Sequence, residues 1–66
     1  MKATVNGRLH ELPDELTVGM LLELLGSART GVAVACNDRV VRRAEYGTQR
    51  VRDGDRVEII EAVAGG

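Results

Sequence analysis

Three features of this 66-residue sequence predict an α+β fold in which a mixed sheet of four to five strands curls over a single helix. The first is Asn6-Gly7, the strongest two-residue hairpin signal, set between two short alternating stretches. The second is a helical stripe, with Val18, Leu21, Leu22 and Leu25 at i, i+3, i+4 and i+7. The third is a series of short valine- and isoleucine-rich runs after that stripe, each bounded by turn residues.

Lys2-Ala3-Thr4-Val5 alternates polar and apolar, and Arg8-Leu9-His10-Glu11-Leu12 resumes beyond the turn, so the chain opens with a β-hairpin. Pro13 ends the second strand because it has no N–H for a ladder, and Asp14-Glu15 continue the break. Thr17 is placed to cap a helix, its hydroxyl accepting from an N–H of the first turn. Each side chain of the stripe contributes about 1.5 to 3 kcal/mol if fully buried, which makes this face the largest single part of the core. Gly19 costs about 1 kcal/mol relative to Ala in a helix interior. Gly26 stands where a left-handed C-terminal cap is expected.

Residues 27–31 read as a loop, and Val32-Ala33-Val34-Ala35-Cys36 as a strand with small residues on one face and larger ones on the other. Asn37-Asp38 turns the chain into Val40-Val41, a strand too short for a sheet centre. Residues 42–50 lack alternation and cross the domain as an irregular segment with a helical turn near Ala44-Glu45-Tyr46, and Val51 after them is a candidate core residue. Asp53-Gly54-Asp55 is a tight turn, Gly54 supplying positive φ, and it launches the last strand from Arg56. Strand, strand, helix, strand, short strand, strand is the order of a β-grasp, in which the first and last strands lie side by side. The expected domain covers residues 1–62, with residues 63–66 a flexible C-terminal tail ending in Gly-Gly.

A single domain of about 60 residues buries only about 60% of the surface its unfolded chain exposes, which leaves no room for a deep catalytic cleft beside a core. Nine Lys plus Arg stand against ten Asp plus Glu, so no global field draws in nucleic acid or anionic membrane. With one Tyr and neither Phe nor Trp, the stacking surfaces of a single-strand binder are missing as well. Cys36 is the only cysteine and excludes an internal disulfide, and the first residues lack an apolar stretch of signal-peptide length. The expectation is a cytoplasmic protein, monomeric when free.

The reactive side chains offer little chemistry. His10 has no second metal ligand at a convincing spacing, so no metal is expected. If Val32 and Val34 face inward, the period of two sends Cys36 inward too, as an inert core thiol. Neither a Walker loop nor Gly-x-Gly-x-x-Gly occurs, so no intrinsic cofactor is expected. Arg39, Arg42, Arg43, Arg50, Arg52 and Arg56 form a loose basic run, but interleaved acidic residues make it a solvated mixed face.

The terminus remains. A Gly-rich end is by default a frayed end. Here, however, Val63, Ala64, Gly65 and Gly66 follow a predicted strand with no polar linker, and extended they reach roughly 13 Å. Two glycines make a backbone thin enough for a narrow channel, with an α-carboxylate on Gly66 at the tip. That carboxylate, with an unperturbed pKa of about 3.3 to 3.7, is ionised at neutral pH and a poor electrophile. It must be activated by something else, so the chain reads as a substrate or carrier and not as an enzyme.

Four stretches together carry a likeness to a known family: Val5-Asn6-Gly7; Leu16-Thr17-Val18 with Leu21-Leu22; Val32-Ala33-Val34-Ala35 with Asn37; and Asp53-Gly54-Asp55-Arg56-Val57-Glu58-Ile59-Ile60 running on to Gly65-Gly66. They resemble the small ubiquitin-like β-grasp sulfur carriers, most closely the ThiS group of thiamine biosynthesis, over nearly the whole chain. The resemblance implies adenylation of Gly66 by an ATP-using enzyme of the ubiquitin-activating type. It implies sulfur supply from a cysteine-desulfurase persulfide, a thiocarboxylate on Gly66, and a thiazole synthase as acceptor. Gly65 becomes the second thin link, and Val63 and Ala64 the residues recognised beside it. Arg42 stands where those carriers often have a proline, and Tyr46 where they often have a Trp. Related carriers serve tRNA thiolation and other metabolites. A different class, the TGS-type regulatory or RNA-associated β-grasp module, shares the Asp-Gly-Asp turn followed by Val-Glu-Ile but needs no free diglycine.

Overall fold

The computed structural model of the chain describes residues 1–27 and 31–61. Lys2–Val5 (β1) and Arg8–Glu11 (β2) form the expected hairpin, with Val5 opposite Arg8. Asn6 and Gly7 take φ values of 51° and 83° between them, the left-handed pair that a tight two-residue hairpin requires. A short strand, Leu16–Thr17 (β3), runs straight into the helix Val18–Leu24 (α1).

Both helix ends are closed by their own sequence. Thr17 Oγ1 accepts from Met20 N at 3.2 Å. At the other end Gly26 adopts φ 77°, its N–H donates to Glu23 O at 3.1 Å, and Ser27 N donates to Leu22 O at 2.7 Å. These are the two bonds of a Schellman cap, which satisfy carbonyls that the helix leaves unpaired.

Beyond the helix come Val32–Cys36 (β4), Arg39–Val41 (β5), a 3-10 turn at Arg43–Glu45, Arg50–Val51 (β6) and Arg56–Glu61 (β7). Five strands make one sheet in the order β2-β1-β7-β4-β5. β7 runs parallel to β1 and antiparallel to β4, so the last strand sits at the centre of a mixed sheet beside the first. β3 and β6 pair separately, Leu16 opposite Val51 and Thr17 opposite Arg50. The sequence reading had no strand at either place, because a two-residue ladder is too short to show an alternation. The irregular segment does hold its expected helical turn, closed by Arg42 N donating to Glu45 Oε1 at 2.9 Å.

The core lies between the helix and the inner face of the sheet. Val18, Leu21 and Leu22 meet Ala3 and Val5 from β1, Val34 and Cys36 from β4, Val41 from β5, and Val57 from β7. Val51 joins them, as expected, together with Leu12 and Leu16, while Leu25 at the end of the stripe is half-buried. The crossing segment also serves the helix. Gln49 O accepts from Val18 N at 2.9 Å and Tyr46 O from Gly19 N at 2.8 Å, so the open N–H groups of the first turn are paired. Among the described residues no helix is long and apolar enough to cross a membrane.

Candidate functional site

β7 carries the chain toward the terminal residues that the sequence singles out, and its two faces have different tasks. With a period of two, Val57 and Ile59 turn toward the helix while Glu58 and Ile60 turn away. Val57 is fully buried and anchors the strand. Glu61, the last described residue, lies opposite Val32 of β4.

The outward face next to that end carries apolar side chains, with Glu58 opposite Ala35 at their border. Ile60 pairs with Ala33, and Ala35 pairs with Val40 on the edge strand β5. Ile60 is 67% exposed and Val40 75%, with two alanines between them. The small-residue face expected for β4 therefore lies outward, and it forms the floor of an apolar strip across three strands. Exposed apolar side chains gathered on one face are a feature that docking surfaces share.

On the other side β7 outruns its neighbour. The β1 ladder ends with Val5 opposite Val57, and Asn6 N donates to Val57 O at 2.9 Å as the chain turns away. The Asn6 side chain then takes over: Oδ1 accepts from Ile59 N at 2.8 Å and Nδ2 donates to Ile59 O at 3.2 Å. At the start of β7, Asn37 Oδ1 accepts from Arg56 N at 2.9 Å, and Arg56 pairs with Asp38 at 2.6 Å. Asparagines from two different turns thus brace the strand at both ends.

The candidate reactive side chains are quiet. Cys36 is buried, its Sγ 3.5 Å from Asp55 Oδ2. Burial first, then the Asp55 charge and hydrogen bond, push the thiol up to about 11 against the opposing pull of Arg56. At neutral pH it is a protonated core thiol and not a nucleophile. His10 lies opposite Ala3 and is half-buried. No group of three His, Cys, Asp or Glu among the described residues is placed to hold a metal. A recess of about 240 Å³ lined by Cys36, Asn37, Arg39, Arg50, Arg52 and Asp55, among others, opens at the β4–β5 turn. That is the end of β7 opposite Glu61, because Cys36 pairs with Val57 and Val32 with Glu61.

The predicted site residues Val63, Ala64, Gly65 and Gly66 lie outside the described residues, as does the expected boundary between domain and tail. What the structure supplies is the strand that leads to them and the outward apolar strip beside Glu61. Asn6, Val40 and Ile60 belong to that end of the sheet, and the sequence reading gave them no part in the site. Two signals were present: Val40-Val41 and Ile59-Ile60 are adjacent apolar pairs, and in a strand one member of each pair must face outward.

Residues 3–66 match the model of the ThiS family. The chain is 38% identical to the sulfur carrier protein ThiS of Escherichia coli K12, over the whole of both chains. It is also 36% identical to a thiazole synthase of Paramagnetospirillum magneticum, of which it spans only 20% of the length. A crystal structure of a ThiS thiamine biosynthesis protein from Geobacter metallireducens superposes with a TM-score of 0.85 at 35% identity, covering 100% of both chains.

Proposed function

The chain belongs to the ThiS family, and from that premise we propose that it is a sulfur carrier, a protein co-substrate and not an enzyme, which serves thiazole formation in thiamine biosynthesis. The observation that carries this reading is the likeness over residues 3–66, with Gly65 and Gly66 inside it. Support for thiazole synthase as the acceptor comes from the relative of that name, one fifth of which resembles this chain.

The chemistry follows from the carboxylate. An ATP-using partner of the ubiquitin-activating type converts the Gly66 carboxylate into an acyl adenylate and releases pyrophosphate, so that a poor electrophile gains a good leaving group. A persulfide on a cysteine desulfurase or other donor attacks the acyl carbon, and AMP leaves. Cleavage of the resulting sulfur–sulfur bond by a thiol leaves the thiocarboxylate. Val63, Ala64, Gly65 and Gly66 enter the partner's channel, and the apolar strip of Ala33, Ala35, Val40 and Ile60 meets the partner's body. ATP and persulfide sulfur act through the partners, and the lone Cys36 is in keeping with a cytoplasmic setting for the cycle.

Incubation with the activating enzyme, ATP and a persulfide donor is expected to raise the intact mass by about 16 Da, one oxygen replaced by sulfur. Fragmentation should place the sulfur on Gly66. An unchanged mass with the thiamine-pathway partners, or sulfur riding on Cys36, would overturn the reading.

A further inference from the structure

We propose that Asn6 is a positioning residue for acyl activation: its side-chain amide substitutes for the missing end of β1 and fixes the direction in which β7 delivers the terminal residues. The inference rests on the carrier reading and adds to it a residue in the first hairpin, 53 positions from Ile59 in sequence.

The geometry is that of a ladder continued by other means. β1 pairs with β7 at Thr4–Arg56 and Val5–Val57 and then turns into the hairpin. Without a further partner, β7 beyond Val57 would be held only by β4. Instead the Asn6 amide offers one acceptor and one donor to the same residue, taking Ile59 N at 2.8 Å and giving to Ile59 O at 3.2 Å. A backbone strand would make the same pair of contacts, and an amide side chain carries both groups on one carbon. The left-handed backbone at Asn6, φ 51°, is what its place in the turn demands, and Asn is among the few side chains that tolerate it. Turn and brace therefore require one and the same residue. β7 is thus held on both sides as far as Ile59, two residues before the described chain ends at Glu61.

This matters to activation because a carboxylate must arrive within reach of the attacked phosphorus, and small misplacements at a reacting centre cost rate steeply. The brace ties the base of the delivery strand to the sheet and leaves the outward apolar strip untouched. Its loss should reduce the rate of the activated complex and spare the affinity of docking.

The test uses Asn6→Gly, which keeps the left-handed turn but removes the amide, and Asn6→Asp, which keeps the acceptor but sets a carboxylate oxygen against Ile59 O. ATP-dependent pyrophosphate release by the activating enzyme and native-state hydrogen exchange are both measured. For Asn6→Gly, kcat is expected to fall about tenfold with KM within twofold, since a factor of ten corresponds to about 1.4 kcal/mol, the scale of one or two hydrogen bonds. Exchange of the Ile59 amide should accelerate while that of Val34 stays slow, and Asn6→Asp should resemble Asn6→Gly in rate. Wild-type kcat in Asn6→Gly, a loss confined to KM, or an unchanged Ile59 amide would overturn the inference and leave the carrier reading standing. Absence of pyrophosphate release with the wild-type chain would remove both.

Discussion

Asn37 and Asp55 join two turns that lie far apart in the sequence. Asn37 Nδ2 donates to Asp55 Oδ1 at 3.0 Å, while Asp55 Oδ2 accepts from Arg52 N at 2.8 Å. The first contact fixes the β4–β5 turn, and the second closes the turn that launches β7. Burial opposes ionisation of Asp55 most strongly, yet the bonds from Arg52 N, Asn37 and Cys36, with the Arg52 charge, together hold its carboxyl below the usual 3.8. The folded form therefore releases this proton at lower pH than the unfolded form. Its contribution to stability is complete above about pH 4 and is lost as pH falls through the folded pKa. Asp55→Asn should lower the urea midpoint at pH 7 and flatten the decline as pH falls below about 4. An acid limb as steep as that of the wild type would assign the effect to other carboxylates.

Cys36 gives the opposite sign. Its thiol is raised from 9.0 to about 11 in the fold, so between those values the folded chain keeps a proton that the unfolded chain has lost. Stability should therefore fall as pH rises through that window, and Cys36→Ala should remove this part of the decline. The same burial protects the sulfur. Iodoacetamide at pH 8 is expected to modify the native chain far more slowly than the urea-unfolded chain, and equal rates would contradict a core thiol.

The helix stripe is tested by two leucines three positions apart. Leu21 is 0% exposed among the core side chains, whereas Leu24 is 58% exposed on the outer side of the same helix. Leu21→Ala should cost roughly 2 to 5 kcal/mol, transfer and cavity together, and Leu24→Ala less than about 0.5 kcal/mol. Chemical denaturation measures both, and equal losses would mean that the helix face has been placed wrongly.

What the sequence reveals divides by the range of the interaction. The Asn6-Gly7 hairpin, the Thr17 cap, the Gly26 cap and the Gly54 turn are each written within a few residues, and each is found where it was expected. Gly19 was only a helix cost in the sequence. Its reason is distant: a Cβ there would stand 3.2 Å from Tyr46 O, the carbonyl that accepts the Gly19 N–H. The Asn6 amide belongs to the same class, because its partner Ile59 comes beside it only when the first and last strands pair. The pairing of Leu16 with Val51 joins residues 35 positions apart in sequence, and neither has an alternating run around it. Gly65 and Gly66 could be singled out as candidates by composition, whereas the outward apolar strip follows from which member of an apolar pair the sheet turns outward.

That strip yields the last prediction. Ile60 and Val40 face solvent at 67% and 75% exposure, and neither side chain supports the core. Replacing either by Lys should therefore leave the thermal midpoint within a few degrees of the wild type, since exposed substitutions usually change stability by no more than about 0.5 kcal/mol. On the docking proposed above, the same changes set a charge into a surface that the activating enzyme must desolvate. A loss of 1.4 kcal/mol or more is expected, seen as at least a tenfold rise in KM for the carrier. Leu9 supplies the control: it is 66% exposed and lies opposite Thr4 on the edge strand β2, with β1 between it and the strip. Leu9→Lys should leave KM near the wild-type value. A rise as large as that of Ile60→Lys would point to the net charge of the chain, while wild-type KM in all three variants would mean that the partner grips the terminal residues alone.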